Sequence, residues 1–401
     1  MPGMSCLRQI FRYCPMYHFY NQYCAEQAAK SRLRALPSVD RPVSFDFSSN
    51  DYLGLATHPD VVNAAIEAAR QCGVGSTGSR LLSGNYRLIE SFERQIAQSK
   101  QTEAAVVFSS GYQANMTVLA SLLSRRVLPA PPIVFFDRLN HSSLYNAMFL
   151  SGAQYVLFER NDMDDLRRQL QKYCVASRPA FIVTETVHGM EGDLLPIAQV
   201  VDLAASYNCF LYLDEAHATG LYGPQGYGLS TTVDLSLVSH IVMGTFSKAI
   251  GGAGAYIACN AVMQQFILNR TAGFIYSTAP SPVSVAAAAQ AWSMIPSLAA
   301  QRQQAFSLAD LLRRLLRACG VVVMGDGTNI VPVCLGDECA TLALKNALLN
   351  EGMMVSAIRP PTVPTGTSRL RIAINARHDS QCVNQLARAI AQHVSLPAAG
   401  G

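Results

Sequence analysis

Short apolar runs of strand length alternate with helical stretches along most of this chain. The runs are rich in β-branched and aromatic residues and cover residues 104–108, 133–137, 155–158, 180–185, 209–214, 240–245 and 255–259. Between them, and over residues 61–72, apolar positions recur at helical spacing. Strands that alternate with helices predict an α/β fold with a large, mostly parallel sheet covered by helices.

The pattern changes after Pro296. A long amphipathic helix is predicted around residues 300–319, and it is followed by strands at 321–324, 329–334 and 370–374 and a helix at 341–351. This order predicts a smaller C-terminal α+β domain. We therefore expect an N-terminal arm at residues 1–45, a large α/β domain at 46–295 and the small domain at 296–401. Residues 359–367 are too rich in proline for a helix or a central strand, so a loop is predicted there.

Composition adds only weak constraints. Of the 401 residues, 50% are hydrophobic and 14% are charged, which is enough apolar material for a large core. The formal net charge of +4 could help to attract an anionic substrate. Lys and Arg do not cluster with aromatic residues in the manner typical of nucleic-acid binding, so no nucleic-acid partner is expected.

Neither a membrane span nor an oxidising compartment is expected. No apolar run approaches the roughly 20 residues that cross a bilayer. The 11 cysteines contain no Cys-x-x-Cys pair, and an odd number cannot pair completely within one chain. Reduced thiols and a cytoplasmic protein follow from this. Cys334 and Cys339 stand close together but lack further ligands nearby, so no metal site is expected.

The first 25 residues are rich in Tyr and Cys and contain Arg8 and Arg12. They lack the serine and arginine enrichment of a transit peptide. A helical arm is the preferred interpretation.

Two predicted strands end in residues with useful chemistry. One ends in Leu213-Asp214-Glu-Ala-His217, and the other leads through Thr245-Phe-Ser-Lys248 into a glycine cluster. The carboxyl ends of parallel strands gather catalytic groups, so Asp214, His217 and Lys248 should lie close together. This set suits pyridoxal phosphate (PLP), because a lysine forms a Schiff base with its aldehyde and a buried aspartate pairs with its protonated pyridine nitrogen.

These three residues also have ordinary interpretations. An isolated lysine is usually a surface residue, but the position of Lys248 between a buried strand and a glycine turn favours a desolvated amine with a lowered pKa. Asp214 and Glu215 could instead form a solvated loop pair. His217 follows Asp214 by three residues, so it could reach the phenolic oxygen of a ligand whose nitrogen Asp214 binds.

Other motifs leave two interpretations open. Residues 109–115 follow a strand and open a helix at Gly111 and Tyr112; a helix N-terminus suits a phosphate, and an ordinary turn explains the segment equally well. His141 ends another strand and could stack on a pyridine ring or be structural. Gly73-Val-Gly75-Ser-Thr-Gly78 has the spelling of a dinucleotide fingerprint but follows a helix, so a turn near a cofactor or a subunit contact is favoured.

Arg369 and Arg371 stand on either side of Leu370. If the segment is a strand, both arginines point to the face opposite that leucine. Either could then hold an amino-acid carboxylate through two parallel hydrogen bonds.

Taken together, the motifs resemble the α-oxoamine synthases, which are PLP-dependent transferases of the type I aminotransferase-like fold. The resemblance runs from about residue 30 to residue 395. The matching segments are Asn50-Asp-Tyr-Leu-Gly-Leu55, Gly111-Tyr-Gln-Ala-Asn115, Asp137-Arg-Leu-Asn-His141, Asp214-Glu-Ala-His217, Thr245-Phe-Ser-Lys248 and Ile275-Tyr-Ser-Thr278.

The resemblance implies roles for particular residues. Lys248, His141, Asp214 and His217 would be catalytic, with Lys248 holding PLP. The implied cofactor contacts are Lys248, Gly111, Tyr112, His141, Asp214, His217 and Thr245. The implied substrate contacts are Arg34, Asn50, His141, Arg359, Thr362 and Arg371, of which Arg371 would hold the amino-acid carboxylate. Relatives are homodimers with shared active sites, so residues 275–278 would serve the neighbouring subunit.

The implied activity is acyl transfer to an amino acid with loss of CO2 through a PLP quinonoid. The loop at residues 357–364, followed by Gly366-Thr-Ser-Arg-Leu-Arg371, looks most like members that join L-alanine to a pimeloyl thioester, on CoA or on an acyl-carrier protein, in biotin biosynthesis. Members that use glycine, that join serine to a palmitoyl group or that make quorum-signal amino-ketones stay open. A non-catalytic PLP-binding homologue is a further alternative.

The chain departs from the family pattern at two places. Gly189 stands where relatives often have a serine, so a polar contact to the cofactor is absent or is supplied by His188. Ile89 stands where a histidine is usual. Neither departure touches the lysine chemistry, and both leave the acyl substrate open.

Overall fold

The computed structural model describes residues 15–36 and 43–395. Expectations that concern residues 1–14, including Arg8 and Arg12, lie outside the described residues. The helices are α1 (Pro15–Ala29), α2 (Pro59–Cys72), α3 (Arg87–Lys100), α4 (Gly111–Leu122), α5 (Ser142–Ser151), α6 (Met163–Tyr173), α7 (Ile197–Ser206), α8 (Ala261–Arg270), α9 (Ala272–Ile275), α10 (Pro282–Met294), α11 (Ala299–Ala318), α12 (Glu338–Asn350) and α13 (Ser380–Ser395). The strands are β1 (Phe45–Asp46), β2 (Ala104–Phe108), β3 (Ile133–Asp137), β4 (Gln154–Phe158), β5 (Ala180–Glu185), β6 (Phe210–Asp214), β7 (His240–Thr245), β8 (Ala255–Cys259), β9 (Ile330–Gly336), β10 (Met353–Met354), β11 (Ser356–Ile358) and β12 (Ser368–Ala373).

The large sheet has the predicted, mostly parallel character. Within the described residues its order is β2-β8-β7-β6-β5-β3-β4, and only β8 runs antiparallel to its neighbours. Apolar side chains alternate between two core clusters, one on each face of the sheet; in β5, Ile182 joins one cluster and Phe181 and Val183 join the other. This is why the strands are apolar at nearly every position, and the α/β class is confirmed.

The C-terminal part has its own core. Strands β11, β12 and β9 form an antiparallel sheet, and the short β1 pairs with β10. Leu312, Leu348 and Ile372 meet there, and Phe47 from the N-terminal side joins them. The strand predicted at 321–324 is wrong, because only Val323 pairs, in an isolated bridge to Val333.

A continuous helical stretch joins α10 to α11 through a 3-10 turn at Ile295–Leu298. It runs from Pro282 to Ala318 and is long and apolar enough, by length and composition, to cross a membrane. Polar and charged residues interrupt it, among them Gln290, Gln301 and Arg302. Within the stretch, Trp292 is fully buried among aromatic rings, and Arg313 is buried with the carbonyls of Thr328 and Ile330 as partners.

Candidate active site

Four neighbouring parallel strands end at the same edge of the large sheet. Strand β3 leads to His141, β5 ends in Glu185, β6 ends in Asp214, and β7 leads to Lys248. Glu185 and Asp214 are direct partners in the strand register. The topology thus brings together most of the polar residues that the sequence predicts for the site.

Lys248 lies in a tight turn that holds its backbone. The amide of Gly251 donates to the carbonyl of Lys248 at 2.8 Å, and Gly251 has a φ of +68°. A Cβ on Gly251 would lie 2.8 Å from the Cα of Ala56, so a side chain does not fit there. Loss of water around the amine lowers the pKa of Lys248 to about 8, although the carboxylates of Asp214 and Glu185 act in the opposite direction. This direction agrees with the prediction of a lowered pKa for Lys248.

Asp214 is a buried carboxylate with two donors. Its Oδ1 accepts from the amide of Ala216 at 2.8 Å, and its Oδ2 accepts from Nδ2 of Asn115 at 2.7 Å. Asp214 is 3% exposed, so both hydrogen bonds are shielded from water.

Glu215 anchors the loop that follows Asp214. It is fully buried and forms an ion pair with Lys100 on the other side of the loop. Its Oε1 also accepts from the amide of Ser230 at 2.6 Å. The alternative of a solvated Asp214–Glu215 pair is therefore wrong.

His217 faces Tyr52 and the backbone of Gly189. Its Nδ1 lies 2.8 Å from the phenol oxygen of Tyr52. Burial, together with the nearby charges of Lys248 and Arg371, lowers the pKa of His217 well below its usual value, so the ring is neutral. A Cβ on Gly189 would crowd this ring, with His217 Cδ2 only 2.9 Å away. Glycine at position 189, where relatives often have serine, therefore leaves room for the ring of His217.

Arg371 and Arg369 both project from β12 toward the large domain, on the face opposite Leu370. Nε of Arg371 donates to the carbonyl of Gly189 at 2.6 Å, and its Nη2 donates to the phenol of Tyr52 at 3.1 Å. Arg369 instead pairs with Glu191 at 2.9 Å. Among the described residues Arg371 has no carboxylate partner, so it is the arginine free to bind a substrate carboxylate.

Asn50 approaches the same group of residues. Its Oδ1 accepts from the phenol of Tyr52 at 3.0 Å. Asn50 therefore lies next to the residue that contacts both His217 and Arg371.

Gly111 and Thr245 lie next to each other at the start of α4. A Cβ on Gly111 would lie 3.5 Å from Cβ of Thr245. Ser110 caps the helix by accepting from the amide of Gln113 at 3.2 Å, and Thr245 donates to the carbonyl of Gly254 at 2.9 Å. The free backbone amides at the N-terminus of α4, together with the neighbouring hydroxyl groups, are suited to binding a phosphate.

His141 and Tyr112 line the open side of the cleft. Their ring centroids are 6.4 Å apart at an interplanar angle of 84°. Partial loss of water lowers the pKa of His141, even though Asp214 acts in the opposite direction. His141 is thus a neutral, exposed ring at the edge of the site.

A second layer of charged residues was not predicted. Glu185 accepts from the amide of His141 at 2.6 Å, and burial raises its pKa to about 7. His188 contacts Glu191, and although burial opposes its charged form, Glu191 and Glu185 raise the pKa of His188 to about 9. All three residues lie in the short segment 185–191, but their sequence pattern did not indicate that burial would bring their charges together.

The residues expected at the acyl substrate lie in a separate group beside the Pro-rich loop. Nη2 of Arg34 donates to Oγ1 of Thr362 at 2.9 Å, and Arg359 donates to the carbonyl of Ser31. The loop follows β11, whose Ile358 pairs with Arg369. Within the described ranges no three His, Cys, Asp or Glu side chains gather in a way that could hold a metal ion.

Comparison with known proteins defines the class. The family model for aminotransferase class I and II matches residues 43–390, and the chain belongs to this family. Two relatives named 8-amino-7-oxononanoate synthase come from Gluconacetobacter diazotrophicus and Geobacter sulfurreducens. They are 43% and 40% identical to this chain, each over 86% of it, and the matches cover 86% and 87% of the relatives. Within the class, the chain therefore belongs with the 8-amino-7-oxononanoate synthases.

A solved structure supports the fold and the cofactor. Serine palmitoyltransferase from S. paucimobilis, with a bound adduct of PLP and myriocin, is 25% identical with a TM-score of 0.85, covering 94% of this chain and 97% of that one. The protein is a PLP-dependent enzyme. Its residues fit the cofactor, because a lysine with a lowered pKa, a buried carboxylate and a helix N-terminus with neighbouring hydroxyls lie at one edge of the sheet.

Proposed function

We propose that this protein is an 8-amino-7-oxononanoate synthase, which condenses L-alanine with pimeloyl-CoA or a pimeloyl acyl-carrier protein and releases CO2. The observation that carries the proposal is that Lys248 and Asp214 lie at one edge of the large sheet, within electrostatic reach of Arg371 on β12. They supply a base, an anion for a protonated ring nitrogen and a carboxylate-binding cation. The names of the relatives support the choice of substrates.

Lys248 is the residue that moves the proton. Bound PLP supplies an electron sink that stabilises negative charge on the amino-acid Cα. Because its pKa is about 8, Lys248 is partly neutral near neutral pH, so its Nζ can accept the α-proton of alanine and later return a proton to the product. Asp214 would hold the ring nitrogen of PLP in its protonated form, and neutral His217 would face the phenolic oxygen.

Arg371 orients the amino acid. Its Nη2 donates to Tyr52 and its Nε to the carbonyl of Gly189, so the guanidinium is held on two sides before a substrate arrives. An arginine held in this way binds a carboxylate with little loss of freedom. Asn50 would contact the substrate next to Tyr52. Gly111, Tyr112 and Thr245 would lie along the cofactor, with Thr245 at its phosphate.

The charge of the acyl region favours a pimeloyl chain over a palmitoyl chain. Burial lowers the pKa of Arg359, and the positive charge of nearby Arg34 lowers it further. Two guanidinium groups beside Thr362 suit an anionic group, such as the far carboxylate of pimelate or a phosphate of CoA. Serine palmitoyltransferase activity is the second candidate, and the structural similarity to that enzyme favours it.

We further propose a cytoplasmic homodimer in which residues 275–278 serve the neighbouring active site. Two large apolar side chains are exposed on segments that meet at the bridge between Ser79 and Thr278: Tyr276 and Leu82 are each 85% exposed. A neighbouring subunit that covered this region would bury both.

The experiment is product analysis by mass spectrometry. Purified protein with PLP would receive L-alanine plus a pimeloyl thioester, glycine plus an acetyl thioester, or L-serine plus a palmitoyl thioester, each offered both on CoA and on an acyl-carrier protein. We expect 8-amino-7-oxononanoate from the first pair and little product from the others. Product from serine and palmitoyl-CoA alone would favour the second candidate, and no product from any pair with either donor form would contradict both.

A further inference from the structure

Asn115 lies at the centre of a buried hydrogen-bond chain that reaches two residues of the proposed site. Its Nδ2 is 2.7 Å from Oδ2 of Asp214 and 3.0 Å from Oγ of Ser143, and its Oδ1 is 2.9 Å from the phenol of Tyr212. Asn115, Ser143 and Tyr212 are each no more than 1% exposed. All polar atoms of the amide are therefore used inside the protein.

The orientation of this amide follows from its partners. The phenol of Tyr212 has one hydrogen and donates it to Oδ1, which turns the Nδ2 group toward Asp214 and Ser143. If the amide were flipped, Oδ1 of Asn115 would lie about where Nδ2 now does, 2.7 Å from Oδ2 of Asp214, and two acceptors would face each other. That arrangement would lose a charge-assisted hydrogen bond and add repulsion.

The backbone amide of Ser143 constrains the ring of His141. This amide points at Nδ1 of His141 and donates to it at 3.3 Å, as in a helix N-cap. Oγ of Ser143, which accepts from Asn115, lies 2.7 Å from the same nitrogen and can turn its hydrogen toward it. A backbone N–H aimed at Nδ1 favours a lone pair on that atom, which places the proton of neutral His141 on Nε2.

We propose that Asn115 is a positioning residue that sets two groups at once: it holds the Asp214 carboxylate in place and, through Ser143, it keeps His141 in the Nε2–H tautomer. In this tautomer the exposed side of His141 can donate a hydrogen bond to a carbonyl or carboxylate oxygen but cannot accept a proton there. His141 is then a donor, and Lys248 remains the base. The proposal rests on the proposed roles of Asp214 and His141 in PLP binding and catalysis.

The tautomer can be measured without cofactor or substrate. Nitrogen-15 NMR of apoprotein labelled at histidine distinguishes a protonated Nε2 from a protonated Nδ1, and a His141→Asn variant assigns the signal. We expect His141 to carry its proton on Nε2 in the wild type and to show a mixture of tautomers in Ser143→Ala. Ser151→Ala is the matched control, because Ser151 lies on the same helix and donates only to the carbonyl of Met148. A wild-type His141 protonated on Nδ1 would overturn the proposal.

PLP affinity tests the other part of the proposal, in which Asn115 holds the Asp214 carboxylate in place; we call this the Asp214 branch and the tautomer of His141 the His141 branch. Asn115→Leu removes the donor to Asp214, and we expect PLP affinity to fall by about 10- to 100-fold, the scale of a hydrogen bond to a charged group. Tyr212→Phe frees the amide to turn and should cause a smaller loss. Tyr256→Phe, which removes a buried phenol whose partner is Thr219, should leave affinity unchanged.

The variants separate the two branches. Ser143→Ala should change the tautomer of His141 while PLP affinity stays close to that of the wild type, whereas Asn115→Leu should change the affinity. Wild-type affinity in a folded Asn115→Leu variant would overturn the Asp214 branch. If Asn115→Leu does not fold, Tyr212→Phe tests the Asp214 branch instead. A PLP affinity of Tyr212→Phe equal to that of Tyr256→Phe would then overturn this branch. Failure of the wild type to bind PLP would contradict the proposed function, while the NMR result would still decide the His141 branch.

Discussion

The phenol of Tyr52 lies 2.8 Å from Nδ1 of His217, across 165 residues of sequence. The same oxygen accepts from Arg371 at 3.1 Å, so one hydroxyl group joins the proposed cofactor contact to the proposed carboxylate contact. Tyr52 is fully buried, so this arrangement is shielded from water. If the amino acid binds at Arg371 as proposed, its binding is coupled to the position of His217 through the hydroxyl oxygen of Tyr52.

Replacing Tyr52 by phenylalanine tests this coupling. We expect kcat/KM for alanine to fall by about tenfold, since Arg371 loses a hydrogen-bond partner and becomes free to move. The control is Tyr227→Phe, whose hydroxyl donates to the carbonyl of Trp292 at 3.3 Å. Equal kinetics of the two variants would show that the Tyr52 hydroxyl has no role in substrate binding.

Gly189 is predicted to be intolerant of the serine that relatives often have at this position. A Cβ there would crowd the His217 ring, which Tyr52 holds in place, so the ring or the loop must move. We expect Gly189→Ser to bind PLP about tenfold more weakly, as judged by cofactor titration. Gly75→Ser is the matched control, because a Cβ on Gly75 meets nothing within 4 Å. If Gly189→Ser binds PLP as well as the control does, the close approach of His217 is not a constraint.

The pKa of Lys248 predicts how capture of the cofactor depends on pH. Burial lowers this pKa from 10.5 to about 8, so the neutral amine accumulates as the pH rises through about 8. The rate at which apoprotein captures PLP should rise to that pH and then level off. Glu185→Gln removes a nearby negative charge and should move the midpoint to lower pH. A rate that keeps rising toward 10.5 would mean that Lys248 is an ordinary, solvated lysine.

His188 predicts a pH-dependent contribution to stability. Its pKa is raised from 6.5 to about 9, so the folded protein prefers the protonated ring. The stabilisation is fully present below pH 6.5 and is lost as the pH rises through about 9. The difference corresponds to about 3 kcal/mol in the free energy of unfolding.

Chemical denaturation of the wild type and of His188→Asn measures this pH-dependent contribution to the free energy of unfolding. The variant should lose more stability at about pH 6 than at about pH 10. Glu191→Gln removes the hydrogen-bond partner and should reduce the same pH dependence while His188 stays in place. An equal loss at both pH values would argue against a charged His188.

The sequence predicted the parts of the fold that local pattern determines. Strands β2, β3, β5, β7 and β8 begin and end at the predicted residues because each is a buried apolar run bounded by turn residues. Lys248 and Asp214 were predicted as site residues because each follows such a run, and adjacent parallel strands bring their ends together. Their roles stay predictions.

Contacts between distant segments could not be predicted in this way. Tyr52 belongs to a motif that the sequence singled out, but its position between His217 and Arg371 depends on three separate segments. The strand expected at 321–324 is reduced to one bridge, since the segment meets β9 only from Val322 to Met324. His188, Glu185 and Glu191 are close in sequence, but their burial, which shifts the pKa of His188, depends on the packing of the rest of the chain around them.

The most direct test of the account uses L-alanine labelled with carbon-13 at its carboxyl group, together with pimeloyl-CoA and PLP. Wild-type protein should release the label as CO2 and form unlabelled 8-amino-7-oxononanoate. In the proposed reaction the acyl group becomes bonded to the α-carbon of alanine, and the carboxylate leaves as CO2. Lys248→Ala should form neither, with activity reduced by about a thousandfold or more, as expected when a central catalytic group is removed. A product that keeps the label, or full activity in Lys248→Ala, would contradict the account.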